Sequence, residues 1–130
     1  MVHERLDEAR WRHLLAPLRA ICGALPEANE TINFGSPWFR AGKKVFAIFS
    51  EDEGGARLSF RAAPMTREAL LEDPRFFPTP YMHHNGWVSL RLNEDADWDE
   101  LEELLVDSYR LQALKRMLRA LDGDSPVNQR

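Results

Sequence analysis

Eight residues between positions 38 and 91 have the types that hold an anionic, aromatic ligand: Trp38, Arg40, Lys43, Lys44, Arg57, Arg61, Trp87 and Arg91. Arginine and lysine meet phosphate oxygens, and an indole offers a face on which bases stack. Strict alternation in Trp87-Val-Ser-Leu-Arg91-Leu92 puts Val88, Leu90 and Leu92 on one face of a strand and Trp87, Ser89 and Arg91 on the other. A large aromatic and a cation therefore share what is expected to be the solvent side. The same alternation assigns Trp38, Arg40, Arg57, Ser59 and Arg61 to that side, with no acid among them. Such a face is also built in proteins without any ligand, where cation–π contact and burial of arginine stems stabilise the sheet.

Other candidate chemistry is weaker. His83-His84 invites a metal, yet neighbours on extended chain point in opposite directions, and no Cys or His elsewhere has ligand spacing. His3 and His13 do not join that pair. Cys22 lies on the apolar stripe of a helix, where a small core residue is expected rather than a nucleophile. No serine sits in a nucleophile elbow, and Gly54-Gly55 is a turn rather than a phosphate loop. The acids at 94–103 lack the alternating ligands and central glycine of a calcium loop. They crowd the first turns of a helix whose last turns carry Arg110, Lys115, Arg116 and Arg119, as the helix dipole favours. No catalytic set, metal or cofactor is expected, and a non-enzymatic protein follows.

The 130 residues suit one domain, with 1–16 as an N-terminal helical extension and 124–130 as a flexible tail. No apolar run approaches the roughly 20 residues of a membrane span. Acids near the N-terminus, where a signal peptide has bases, and a single cysteine point to a reducing cytoplasm. The net charge of −4 argues against a generally basic nucleic-acid binder. However, eight of the 21 acids (Glu94, Asp95, Asp97, Asp99, Glu100, Glu102, Glu103, Asp107) fall within 93–108, where there is no base, so the rest of the chain is net positive.

The elements that must position the cations can be read in order. Apolar residues at helical spacing from Glu4 to Leu25 predict a helix, with a kink or break at Pro17 and an end at Pro26. Trp38–Arg40, Val45–Phe49 and Arg57–Arg61 read as a meander, with Gly42 supplying a positive φ in the first turn and 51–55 forming the second. Thr66 is expected to cap a short helix through Leu71, and the last strands are expected around Tyr81-Met82 and Trp87–Leu92. Asp97 as N-cap, Glu100 three positions on and leucines through Leu121 predict one long helix that Gly123 ends. The order α-β-β-β-α-β-β-α predicts a two-layer α+β fold, an antiparallel-rich sheet with its helices on one face and the other face open.

Phe34-Gly-Ser-Pro-Trp-Phe-Arg40, Gly42-Lys43 with Phe46-Ala47, Arg75-Phe-Phe-Pro78, Gly86-Trp87-Val-Ser-Leu-Arg91 and Asp107-Ser-Tyr-Arg-Leu111 with Lys115-Arg116 resemble the MmcQ/YjbR family over about residues 17–121. The resemblance implies a fold similar to a double-wing DNA-binding module, with further likeness to frataxin-type and type III secretion chaperone folds. Those relatives do different things, so the resemblance implies a fold and not an activity. The chain departs from shorter members by the helical segment before Pro17 and by Leu114 where proline is frequent. Two functions are then expected to compete. One is a module whose open cationic face takes nucleic acid. The other is an adaptor or chaperone-like dimer in which that face, or the first helix, docks a polypeptide. Monomer and homodimer both stay open.

Overall fold

The computed structural model describes residues 4–82 and 85–123. Helix α1 (Glu8–Gly23) leads into four strands, β1 (Ala28–Asn33), β2 (Ser36–Ala41), β3 (Lys44–Asp52) and β4 (Gly55–Arg61). Helix α2 (Pro64–Leu71), strands β5 (Phe76–Pro78) and β6 (Trp87–Arg91), and helices α3 (Trp98–Gln112) and α4 (Lys115–Leu121) complete the α+β fold. The six strands form one antiparallel sheet in the order β1-β2-β3-β4-β6-β5. Helix α3 lies against β3 and β4, and α1 lies against β1 and α3. One core joins them, from Leu14, Leu15, Leu18 and Cys22 of α1 through Phe46, Phe49, Leu58, Phe60 and Val88 to Leu101, Leu105, Tyr109 and Met117.

The expected order is thus extended by a strand and by a second C-terminal helix. β1, Ala-Asn-Glu-Thr-Ile-Asn, carries two asparagines that disfavour strand, and pairing with β2 overrides them. Its turn is Phe34-Gly35, both at positive φ (53° and 81°), the backbone that a two-residue hairpin requires. Helix α1 is one helix rather than two: it starts later, at the side-chain cap of Asp7 on the N–H groups of Ala9 and Arg10, and carries Pro17 inside it. Thr66 does not cap α2. Pro64 opens that helix, where its missing N–H costs nothing, and Ala63 precedes it without a side-chain cap. The short strand before β6 is β5, not Tyr81-Met82; Tyr81 stands in a turn at φ 65°, 94% exposed.

At the C-terminus, Asp97 accepts from Asp99 N and Glu100 N as expected. The leucine run does not make one helix, because Ala113 and Leu114 are extended and split it into α3 and α4. Leu111 and Leu114 turn outward, and Met117 is buried in their place. Its terminal methyl lies so close to Gly42 that a Cβ there would approach within 2.6 Å; at φ 63° this glycine serves both the turn and the packing. Leu104 is only half-buried, whereas its neighbour Leu105 is enclosed. The residues 124–130, expected as a tail, lie outside the described residues.

Candidate functional site

The sheet face away from the helices carries the row Thr31, Trp38, Ile48, Ser59, Ser89 and Phe77, cross-strand partners from β1 to β5. The rows of Arg57 with Arg91 and of Arg61 with Trp87 flank it. The alternation behind these assignments holds, since Val88, Leu90 and Leu92 all enter the helix-side core. The face is nevertheless not open along its whole width. Trp87 is only 3% exposed although it stands outside that core, which overturns its placement on a solvent face. The connection leaving β5 starts on this side: Thr79 Oγ1 lies 2.8 Å from Ser89 Oγ, which lies 2.7 Å from Ser59 Oγ, and all three hydroxyls are buried. Ile48, like Trp87, is buried and stands outside the helix-side core.

The expected cations fall into two groups. In the first, the side chains are engaged internally, Arg57 and Arg91 by an acid and Arg61 by a neutral amide. Asp52, at the end of β3, projects onto this face, so the face is not free of acid. Its carboxylate takes Arg91 Nη1 and Nη2, the latter at 3.1 Å, and Arg57 Nη1 at 3.0 Å, while Gly54 N donates at 2.8 Å. The bond from Arg91, aided by Gly54 N–H and Arg57, holds the Asp52 carboxyl below the usual carboxylate range against the opposing effect of its partial burial. Arg57 also donates to Ser50 Oγ, and Arg91 stacks 5.3 Å from the Phe77 ring. Arg61 lies at the far end of β4 from this cluster, where its Nη1 donates to Gln112 Oε1 at 2.9 Å. Gln112 Nε2 donates in turn to Val45 O, and buried Ser108 accepts from Arg61 N while donating to Phe46 O. These contacts clamp α3 across the ends of β3 and β4.

The second group is Arg40, Lys43 and Lys44 on the β2–β3 hairpin. Arg40 is held by neutral acceptors: Nε donates to Thr31 Oγ1 at 3.0 Å, Nη1 to Lys43 O at 3.0 Å and Nη2 to Asn33 Oδ1 at 3.3 Å. Its guanidinium lies 5.6 Å from the Trp38 ring centroid. Among the described residues neither it nor the two exposed lysines forms an ion pair. Phe34, 67% exposed in the β1–β2 turn, extends the patch, with its ring 5.9 Å from Trp38. Sequence reasoning missed Phe34; the signal was Asn33-Phe-Gly-Ser36, a glycine-bearing turn two residues before Trp38. A bulky residue at positive φ costs energy that a smaller turn residue would avoid.

Cys22 is fully buried, and burial pushes its thiol well above the ordinary value, which leaves it unreactive. His83-His84 lies outside the described residues, and among those described no three His, Cys, Asp or Glu side chains converge as a metal site. No described helix is long and apolar enough to cross a membrane.

A family model described as YjbR matches residues 23–111. A crystal structure of a Deinococcus radiodurans protein with a DUF419 domain superposes with a TM-score of 0.69 at 23% identity, covering 89% of this chain and 94% of that one. A Pseudomonas syringae protein superposes with a TM-score of 0.56 at 18% identity, over 66% of this chain and 87% of that one. Both likenesses concern the fold. No curated protein matches the chain.

Proposed function

The chain belongs to the YjbR family, and within that fold we propose that it is a non-enzymatic binding module that takes single-stranded nucleic acid on the hairpin patch of Phe34, Trp38, Arg40, Lys43 and Lys44. One observation carries this reading: Arg40, Lys43 and Lys44 stand without an acid partner among the described residues, beside two neighbouring rings. Phosphates would lie along the three cations, and bases would stack on the rings, a combination that tolerates any sequence. The patch lies on an exposed hairpin, which suits splayed bases rather than the readout of a duplex groove. A reducing cytoplasm belongs to the same reading, supported by a lone cysteine sealed in the core.

The alternative, a polypeptide partner, is favoured by a different surface, where Leu111 and Leu114 stand exposed at the α3–α4 break. Titration with single- and double-stranded oligonucleotides at low salt, followed by tryptophan fluorescence in wild type and Trp38→Phe, separates the two. The reading expects quenching by single strands that Trp38→Phe largely removes. Absence of binding to either form at low salt would overturn it and leave the polypeptide reading in front.

A further inference from the structure

A second surface feature owes nothing to the ring pair. A cleft of about 690 Å³ opens where β4 ends and β6 begins, lined by Arg61, Arg67, Glu68, Asn85, Gly86 and Pro64 among others. Two guanidiniums border it, and among the described residues neither is ion-paired. Arg67 is the sharper anomaly. Its Nε is buried and has no hydrogen-bond partner among the described residues, a state that a charged donor does not hold cheaply. Arg61 is already oriented by its bond to Gln112, so one guanidinium is fixed while the Nε of the other has no acceptor among the described residues. Asn85 and Gly86 lie on the same rim, and a Cβ at position 86, where φ is 84°, would stand 3.3 Å from Ala62 O and 3.6 Å from Arg61 Nε. Helix α2 begins at this rim with Pro64 and no side-chain cap.

We infer that this cleft binds a phosphate monoester, with Arg67 and Arg61 as its cationic ligands and Asn85 as a neutral donor. A planar guanidinium offers paired N–H groups that match phosphate oxygens, and a dianion would satisfy the stranded Arg67 Nε–H. The volume exceeds what an isolated phosphate fills, leaving room for the group it esterifies. Among the described residues Glu68 is the one acid of the lining, and it opposes binding. The site lies at the same end of the sheet as Lys43 and Lys44, because β3 starts at Lys44 and runs antiparallel to β4, which ends at Arg61. The ester can therefore be a small phosphorylated molecule or the terminal phosphate of a strand crossing the hairpin patch.

The test uses the whole chain. The Arg67 Nε–H resonance is followed while inorganic phosphate is added, with chloride at matched ionic strength as control. Affinities are then compared for 5′-phosphorylated and 5′-hydroxyl forms of one single-stranded oligonucleotide. Phosphate, and not chloride, should move the Arg67 signal, and the 5′-phosphate should tighten binding roughly tenfold, the effect of one or two charge-assisted hydrogen bonds. Arg67→Gln should abolish the 5′-phosphate advantage without lowering the unfolding midpoint, since the Arg67 side chain has no hydrogen bond or ion pair to lose among the described residues, and Glu68→Gln should strengthen that advantage. A wild-type Arg67 signal unmoved by phosphate, or a 5′-phosphate advantage unchanged in Arg67→Gln, would overturn the inference. If phosphate moves Arg67 but neither oligonucleotide binds, the cleft stands with a small phosphorylated ligand and the hairpin reading falls. If the hydroxyl oligonucleotide binds and phosphate moves nothing, the cleft alone falls.

Discussion

Trp87→Ala tests whether the outer face of β4 and β6 is closed. The indole is 3% exposed and shares that face with the buried Ser59, Ser89 and Thr79 hydroxyls. A buried aromatic removes about 150–250 Å² from water, which at about 25 cal/mol per Å² corresponds to about 4–6 kcal/mol. Alanine keeps part of that burial, so the expected loss is about 3–5 kcal/mol. Leu105→Ala, in the helix-side core, should cost about 2–5 kcal/mol by the same cavity reasoning. Urea unfolding followed by circular dichroism compares the two, with an unchanged m-value showing that stability alone has shifted. A cost below about 1 kcal/mol for Trp87→Ala, the usual size for a solvent-facing side chain, would refute the closed face and return the indole to the binding surface.

Ser108→Ala should destabilise by about 1–3 kcal/mol in the same urea assay, because it strands Phe46 O and Arg61 N, which the hydroxyl joins across 62 and 47 residues of sequence. Asp52→Asn should alter the pH dependence of stability. The lowered folded-state pKa means that Asp52 stabilises the fold above the ordinary carboxyl value of 3.8 and that this contribution is lost as pH falls through the folded value. Unfolding midpoints against pH should therefore lose part of their acid-side decline in the variant. The same substitution releases Arg57 and Arg91 from their shared acid, so single-strand binding at low salt should tighten; weaker binding would show that these arginines need Asp52 to be positioned.

Local chemistry explains what could be read in the chain. The meander was legible because the apolar run Val45–Phe49 and the runs Trp38–Arg40 and Arg57–Arg61 are separated by turns at Gly42 and Gly55, and Asp97 declared its cap through an acid-rich first turn. β1 was not, since its two asparagines carry turn chemistry and only pairing with β2 makes it a strand. β3 runs three residues past the apolar stretch that announced it. Asp52 thereby reaches the outer face and neutralises two arginines that alternation had left unopposed. Trp87 was placed on the correct side of its strand, but its burial, and that of Ser59, Ser89 and Thr79 on the same side, comes from tertiary contacts that carry no periodic signal. Arg61 was likewise read as a surface cation because its partner, Gln112, lies 51 residues away. The part of the candidate site carried into the proposal, Trp38, Arg40, Lys43 and Lys44, is the part whose partners lie nearby in sequence, in β1, β2 and the turns that flank β2.

The central claim, that this hairpin binds single strands through three cations with no ion-pair partner among the described residues, is tested most directly by the salt dependence of oligonucleotide affinity in wild type and in the Lys43→Gln/Lys44→Gln double variant. Each phosphate neutralised on a single strand contributes about −0.7 to the slope of log K against log salt. Arg40, Lys43 and Lys44 together should give a slope of about −2, and the double variant, left with Arg40, a slope of about −0.7, with an unfolding midpoint close to that of wild type because both lysines are exposed. A slope that the double variant leaves unchanged would contradict the account.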